Sequence, residues 1–227
     1  MMSTKRWVLI GAASAVVLVA LVVGVLVMST GAGRGSAASS AAPTKVVVVF
    51  AMAGEDDVVT AQLVTIVDPS SGSFELQETS ATVSIPGTSF SLLRDAYPFG
   101  GAKAVATAIE GGSLKSGTAW VDVSPAAWGQ LLASGVDVTI TVPFDTYDDV
   151  TDHYSAFEVG PQRVAAADLR ALVNGVAYLA PDSRQAILDA VAKASLRALA
   201  STTPPQGVLT SLSTEQWTGF AKALAKN

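Results

Sequence analysis

Three hydrophobic patterns follow one another along the chain. Residues 7–28 are apolar or small and carry no charged side chain. At about 1.5 Å per residue they span about 33 Å, enough for a bilayer core of about 30 Å. Residues 31–43 are rich in Gly, Ser and Ala and have no period, which is the pattern of a flexible tether. From Lys45 onward, short β-branched runs alternate with segments of helical period. Val46-Val47-Val48-Val49-Phe50 predicts a strand buried on both faces. Residues 63–67 and 74–78 flank Asp68-Pro69-Ser70-Ser71-Gly72, whose Pro and Gly mark a turn, so they predict an antiparallel hairpin. Residues 102–109 predict a helix stopped by Gly111-Gly112, 118–123 and 136–142 predict strands, and 125–133 a helix with Pro in its first turn. An acidic loop follows, then three helical segments. The longest covers 182–200, with Asp182 as N-cap and Ile187, Leu188, Val191 and Leu199 on one face. Ser213-Thr214-Glu215-Gln216 fits a capping box opening a short helix that carries Trp217, Phe220 and Leu224.

Interleaved strands and helices predict the α/β class, here a single layered domain with a central mixed sheet flanked by helices, preceded by one transmembrane helix. The expected division is a cytoplasmic stub at 1–6, an anchor at 7–28, a tether at 29–44 and an exported domain at 45–227. Lys5, Arg6 and the terminal amine precede the apolar span and only Arg34 follows closely, which places the N-terminus in the cytoplasm and the domain outside. A cleaved signal peptide is the alternative, although its apolar region usually runs about 7–15 residues; the domain is exported either way.

Charge and chemistry narrow the function further. Beyond Arg34 the chain holds 11 of its 14 Lys and Arg and all 19 Asp and Glu, a formal net charge of −8. Such a domain repels nucleic acid and anionic lipid surfaces. With no cysteine, lipoprotein attachment, disulfides, thiolate metal sites and a Cys nucleophile are all excluded. There is no Gly-rich loop ending in Gly-Lys-Ser/Thr and no Gly-x-Ser-x-Gly elbow, and a lone histidine rules out His-Glu-x-x-His. His153, beside Asp152, reads as a solvated loop residue rather than a catalytic base. Glu55-Asp56-Asp57 and the set Asp145, Asp148, Asp149 and Asp152 lack the alternating ligands and central Gly of a calcium loop, so they read as solvated acidic runs.

Several segments recur in a familiar order. They are a strand ending in Asp68-Pro69, then Ile85-Pro86-Gly87, then Arg94-Asp95-Ala96-Tyr97-Pro98-Phe99-Gly100-Gly101, Trp120-Val121-Asp122, Val136-Asp137-Val138, and Arg184-Gln185 opening the late helix. In that order and spacing, residues 45 to about 225 resemble the LytR-CpsA-Psr family, exported membrane-anchored enzymes of the bacterial envelope. The resemblance implies a single-pass protein of a bacterial cell membrane. It also implies a reaction, in which a glycopolymer moves from a polyprenyl pyrophosphate carrier onto a wall hydroxyl. Arginines would clamp the pyrophosphate, Asp residues would hold Mg²⁺ or help deprotonate the acceptor, and an apolar pocket would take the lipid. Arg suits the clamp because its planar fork meets phosphate oxygens two at a time.

Mapped onto this chain, most of those charges are gone. The family's Arg-Ser-Asp-Thr falls on Val58, Val59, Thr60 and Ala61, and its Ser-Ile-Pro-Arg-Asp on Glu78, Thr79, Ser80, Ala81 and Thr82. Its Tyr-x-Arg-x-Arg falls near residues 168–176, where Arg170 is a survivor in one alignment and Asn174 takes the place in another. Arg184, with Gln185 beside it, is retained, and Arg94 stands at an Asn position. Ligand-binding candidates are therefore Arg184, Gln185, Arg94 and Arg170, with no catalytic residue and no metal ligand. The expectation is a non-catalytic binding or regulatory module in cell-wall biogenesis. It needs no cofactor, and its partners are the cytoplasmic membrane and a polyprenyl lipid or another envelope protein. The alternatives are an active phosphotransferase using Mg²⁺ and an unrelated α/β envelope binding domain.

Overall fold

The structure, a computed structural model, describes residues 42–54, 57–148 and 150–226. The anchor expected at 7–28 lies outside the described residues, and among those described no helix is long and apolar enough to cross a membrane. The strands are β1 (Lys45–Ala53), β2 (Val59–Val67), β3 (Phe74–Gln77), β4 (Thr118–Val123), β5 (Val136–Ile140), β6 (Phe144–Asp148), β7 (His153–Phe157), β8 (Gly160–Val164) and β9 (Val208–Thr210). The α-helices are α1 (Gly101–Ile109), α2 (Pro125–Leu131), α3 (Leu169–Gly175), α4 (Pro181–Ala198) and α5 (Thr214–Leu224).

The central sheet has the order β3-β2-β1-β4-β9. It is mixed: β1 runs parallel to β4, from Lys45↔Thr118 to Phe50↔Val123, and antiparallel to β2. β2 and β3 form the expected antiparallel hairpin, and β9 closes the other edge antiparallel to β4. Because successive side chains alternate between faces, β1 serves two cores. Val46, Val48 and Phe50 face α2, α3, α4 and α5, while Val47 and Val49 face α1 and a 3₁₀ segment, Leu93–Phe99. All five are fully buried, as a continuous β-branched run requires. Each such burial contributes about 1.5–3 kcal/mol.

The larger core is built around aromatic rings with satisfied polar ends. Phe50 and Trp128 lie 5.2 Å apart between ring centres, and the buried Trp128 indole donates to Ser195 Oγ at 2.9 Å. Trp217 packs against Phe220 and donates to the carbonyl of Ser201 at 2.9 Å. Without those acceptors each buried N–H would cost about 1–3 kcal/mol. The capping box of α5 is present: Ser213 Oγ accepts from the Gln216 amide at 3.2 Å and Gln216 Oε1 from the Ser213 amide at 2.9 Å.

Four expectations need correction. The stretch read as an acidic loop is a hairpin, β6–β7, whose inner positions include the charged Asp148 and so break the apolar alternation. β8, which pairs with β5, and the three-residue β9 were not foreseen, because a Gly-Pro start and a very short run give little β signal. The strand expected to reach residue 142 ends at Ile140. α4 starts at Pro181 with Ala180 as N-cap, so Pro sets the first turn and Asp182 lies inside the helix.

Candidate functional site

Since β1 and β4 are parallel, both end at one edge of the sheet, and in α/β sheets ligands bind outside the carboxyl ends of the strands. Two polar clusters meet the chain there. The first surrounds Asp122, near the end of β4. Its Oδ1 accepts from the Tyr97 hydroxyl at 2.7 Å and its Oδ2 from the Ala102 amide, in the first turn of α1, at 2.9 Å. A carboxylate suits that place because the N-terminus of a helix carries partial positive charge. Burial, with the hydrogen bond and negative charge of Asp122 behind it, pushes the Tyr97 phenol well above its ordinary pKa, so the phenol stays a donor. Gly101 is required here: it has φ +63°, and a Cβ on it would lie 2.3 Å from Asp122 Oδ2. Tyr97, Gly101 and the Ala102 amide are thus the seat of one carboxylate.

The second cluster is an ion pair on Arg170 of α3. Its Nε donates to Asp148 Oδ1 at 2.8 Å and its Nη1 donates to the carbonyl of Ala53, the last residue of β1. The Asp148 side chain is 1% exposed and that of Arg170 15%. Asp148 Oδ1 also accepts from the Val150 amide at 3.1 Å, while its buried Oδ2 has no hydrogen-bond partner among the described residues. Arg170 therefore ties the end of the sheet to the β6–β7 hairpin.

The other candidates are not drawn to this pair. Arg94 sits in the 3₁₀ segment on the opposite face of the sheet, half exposed, with Nε 3.7 Å from Asp95 Oδ1. Arg184 is half-buried in the first turn of α4, and its neighbour Ser183 shares a 2.8 Å hydrogen bond with Thr141. Gln185 is exposed and donates to Asp189 at 3.1 Å, one turn along the same helix. His153 is exposed and lies 3.1 Å from Asp168, which also accepts from Ser155 Oγ at 2.8 Å. Among the described residues no group of three or more His, Cys, Asp or Glu is placed to hold a metal ion. A shallow recess lined by Gly72, Phe74, Lys193, Leu196, Arg197 and Leu224 has no room for a water molecule, far from the roughly 300–1,000 Å³ usual for ligand sites.

No known family model matches the sequence, and no curated protein sequence matches it. Solved structures do match. A LytR-Csp2A-Psr enzyme from Actinomyces oris aligns with a TM-score of 0.56 at 15% identity, over 85% of this chain and 79% of that one. B. subtilis TagT aligns with a TM-score of 0.53 at 16% identity, over 85% and 80%. A TagT bound to LI-WTA gives 0.55 at 16% identity, over the same shares. The fold is that of the LytR-CpsA-Psr proteins.

Val58, Thr60, Ala81 and Thr82, onto which the sequence resemblance maps clamp and carboxylate, carry no charge. Val58, 48% exposed, precedes β2, and Val59 and Thr60 pair with Ala53 and Met52, beside the carbonyl that Arg170 holds. Thr60 Oγ1 accepts from Gln62 at 3.1 Å. Thr82 bridges Leu92, and the carbonyl of Ala81 accepts from the Leu93 amide at 2.9 Å. Sequence reasoning found Arg170 but missed its partner Asp148, and it treated Tyr97 and Asp122 as markers without linking them. The one available signal was the Gly-Gly pair, because a glycine leaves room for a group to approach its backbone, as Asp122 approaches Gly101.

Proposed function

We propose that this chain is a membrane-anchored, exported LytR-CpsA-Psr-like protein that has no ligase activity and acts as a binding or regulatory module in cell-wall biogenesis. The observation that carries this reading is the state of Arg170. Arg170, which stands at a clamp position in one of the two alignments of the resemblance, is taken up by Asp148 and the Ala53 carbonyl, with Val58 and Thr60 alongside. If each lost charge-assisted contact is worth roughly 1.5–3 kcal/mol, losing three or four removes about 5–10 kcal/mol, or roughly 10⁴–10⁷ in rate. The fold likeness supports the envelope setting, since similar structures include an enzyme of this type and a TagT bound to LI-WTA. Anchoring rests on the apolar run at 7–28.

The residues at the strand ends do not fit Mg²⁺. Both oxygens of Asp122 are taken by neutral donors, Asp148 is paired with a guanidinium, and Thr60, Ala81 and Thr82 offer no carboxylate. A polyprenyl lipid or another envelope protein remains the proposed partner. The test is titration of the full-length protein in nanodiscs with inorganic pyrophosphate, with and without Mg²⁺, beside an active LytR-CpsA-Psr enzyme. The expected result is no Mg²⁺-dependent binding where the active enzyme saturates, and matching affinities would overturn the reading.

A further inference from the structure

The two faces of the β6–β7 hairpin differ in character. The inner face is pinned to the domain. Phe144 and Phe157 pack 4.8 Å apart, Asp148 pairs with Arg170, and Gly175 of α3 lies so close that a Cβ there would meet the Phe144 ring at 2.8 Å. The outer face is uncovered among the described residues. Tyr147 and Tyr154 are directly paired across the two strands and are 57% and 59% exposed. Tyr147 donates its hydroxyl to Asp152, and Tyr154 donates to Asp145. Each ring is therefore held by a carboxylate of the same hairpin, on a ribbon fixed from behind. The outer face carries charge of one sign: between Lys115 and Arg163 the chain has no Lys or Arg, while Asp145 and Asp152 are exposed beside the rings and Glu158 is exposed just after β7.

We propose that this outer face docks a basic segment of a partner protein, an Arg or Lys lying over the Tyr147 and Tyr154 rings between the carboxylates of Asp145 and Asp152. Aromatic faces carry negative potential and attract guanidinium and ammonium groups. The carboxylates add charge complementarity, which steers a basic partner in and repels polyanions. The interlocked hydrogen bonds reduce the rotamer freedom lost on binding.

The test titrates full-length protein in phosphatidylcholine nanodiscs with a fluorescent peptide of alternating Arg and Ala, beside its Glu-Ala counterpart and a neutral oligosaccharide. Only the Arg peptide should bind, and high salt should weaken it. The Tyr147→Ala/Tyr154→Ala variant should weaken binding about fivefold or more, as should Asp145→Asn/Asp152→Asn, while Tyr147→Phe/Tyr154→Phe stays within about threefold. Should the alanine variant not fold, a photo-crosslinking Arg peptide on the unaltered protein should label the hairpin. Label elsewhere, binding indifferent to loss of the rings, a preference for the oligosaccharide, or no binding at all would each overturn the proposal.

Discussion

Replacing Arg170 with Met should cost the fold far more than a surface arginine would. The substitution removes the donor to Asp148 Oδ1 and to the Ala53 carbonyl, while keeping most of the apolar stem. Asp148 is then left with a buried charge, 1% exposed, to which, among the described residues, only the Val150 amide donates and whose Oδ2 is still unpartnered. Breaking a buried pair from one side costs about 3–5 kcal/mol, because the remaining charge is uncompensated. For a domain of this size that is roughly 6–20 °C in Tm. Removing both partners, Arg170→Met with Asp148→Leu, should recover most of the loss, since a desolvated pair is close in energy to apolar groups of similar volume. Urea unfolding of the four proteins of the cycle gives the coupling, expected at about 2–4 kcal/mol. A single-variant cost below about 1 kcal/mol, or a double variant worse than Arg170→Met, would refute the argument that Arg170 is held for the fold.

Three further outcomes are expected. Hydrogen bonding from Lys45, helped by Lys115 and Thr118, lowers the Glu110 pKa from 4.5 to about 2 against the opposing effect of burial. The stabilisation this gives is then fully present above the unfolded value and lost as pH falls from about 4.5 to 2. Glu110→Gln should therefore destabilise at pH 7 and converge with the parent protein near pH 2; a pH-independent difference in unfolding curves would contradict this. Gly101→Ala, which puts a Cβ against Asp122 at a positive φ, should lower stability by about 1–3 kcal/mol, and Tyr97→Phe by about 1–2, both read by thermal melts. Protease added to intact spheroplasts should remove the domain, whereas digestion only after lysis would reverse the proposed orientation.

Much of the fold was readable because local and global signals agree. The β-branched run at Val46 to Phe50 needs two covered faces and has them, and Ser213 and Gln216 form the box their spacing predicts. The hairpin β6–β7 was hidden because one inner position carries a carboxylate whose partner is 22 residues away on α3. Arg170 could be picked out as a residue, but its second acceptor lies 117 positions away in sequence, so what it does was not readable. Asp122 was likewise visible only as part of a strand, since the glycine that admits it belongs to another element. In each case the missing information is a long-range polar contact, which has no period to reveal it.

The central claim is that the exported domain does not transfer glycopolymer, and a direct transfer assay tests it most plainly. The domain is incubated with Mg²⁺, an excess of pyrophosphate-linked lipid donor and a wall acceptor, beside an active LytR-CpsA-Psr enzyme, and the released lipid monophosphate and the acceptor-bound glycan phosphate are both measured. The account predicts no transfer above the protein-free control. Transfer within about a hundredfold of the active enzyme, under about 3 kcal/mol of lost transition-state stabilisation, would contradict it and show that the remaining arginines are enough for the reaction.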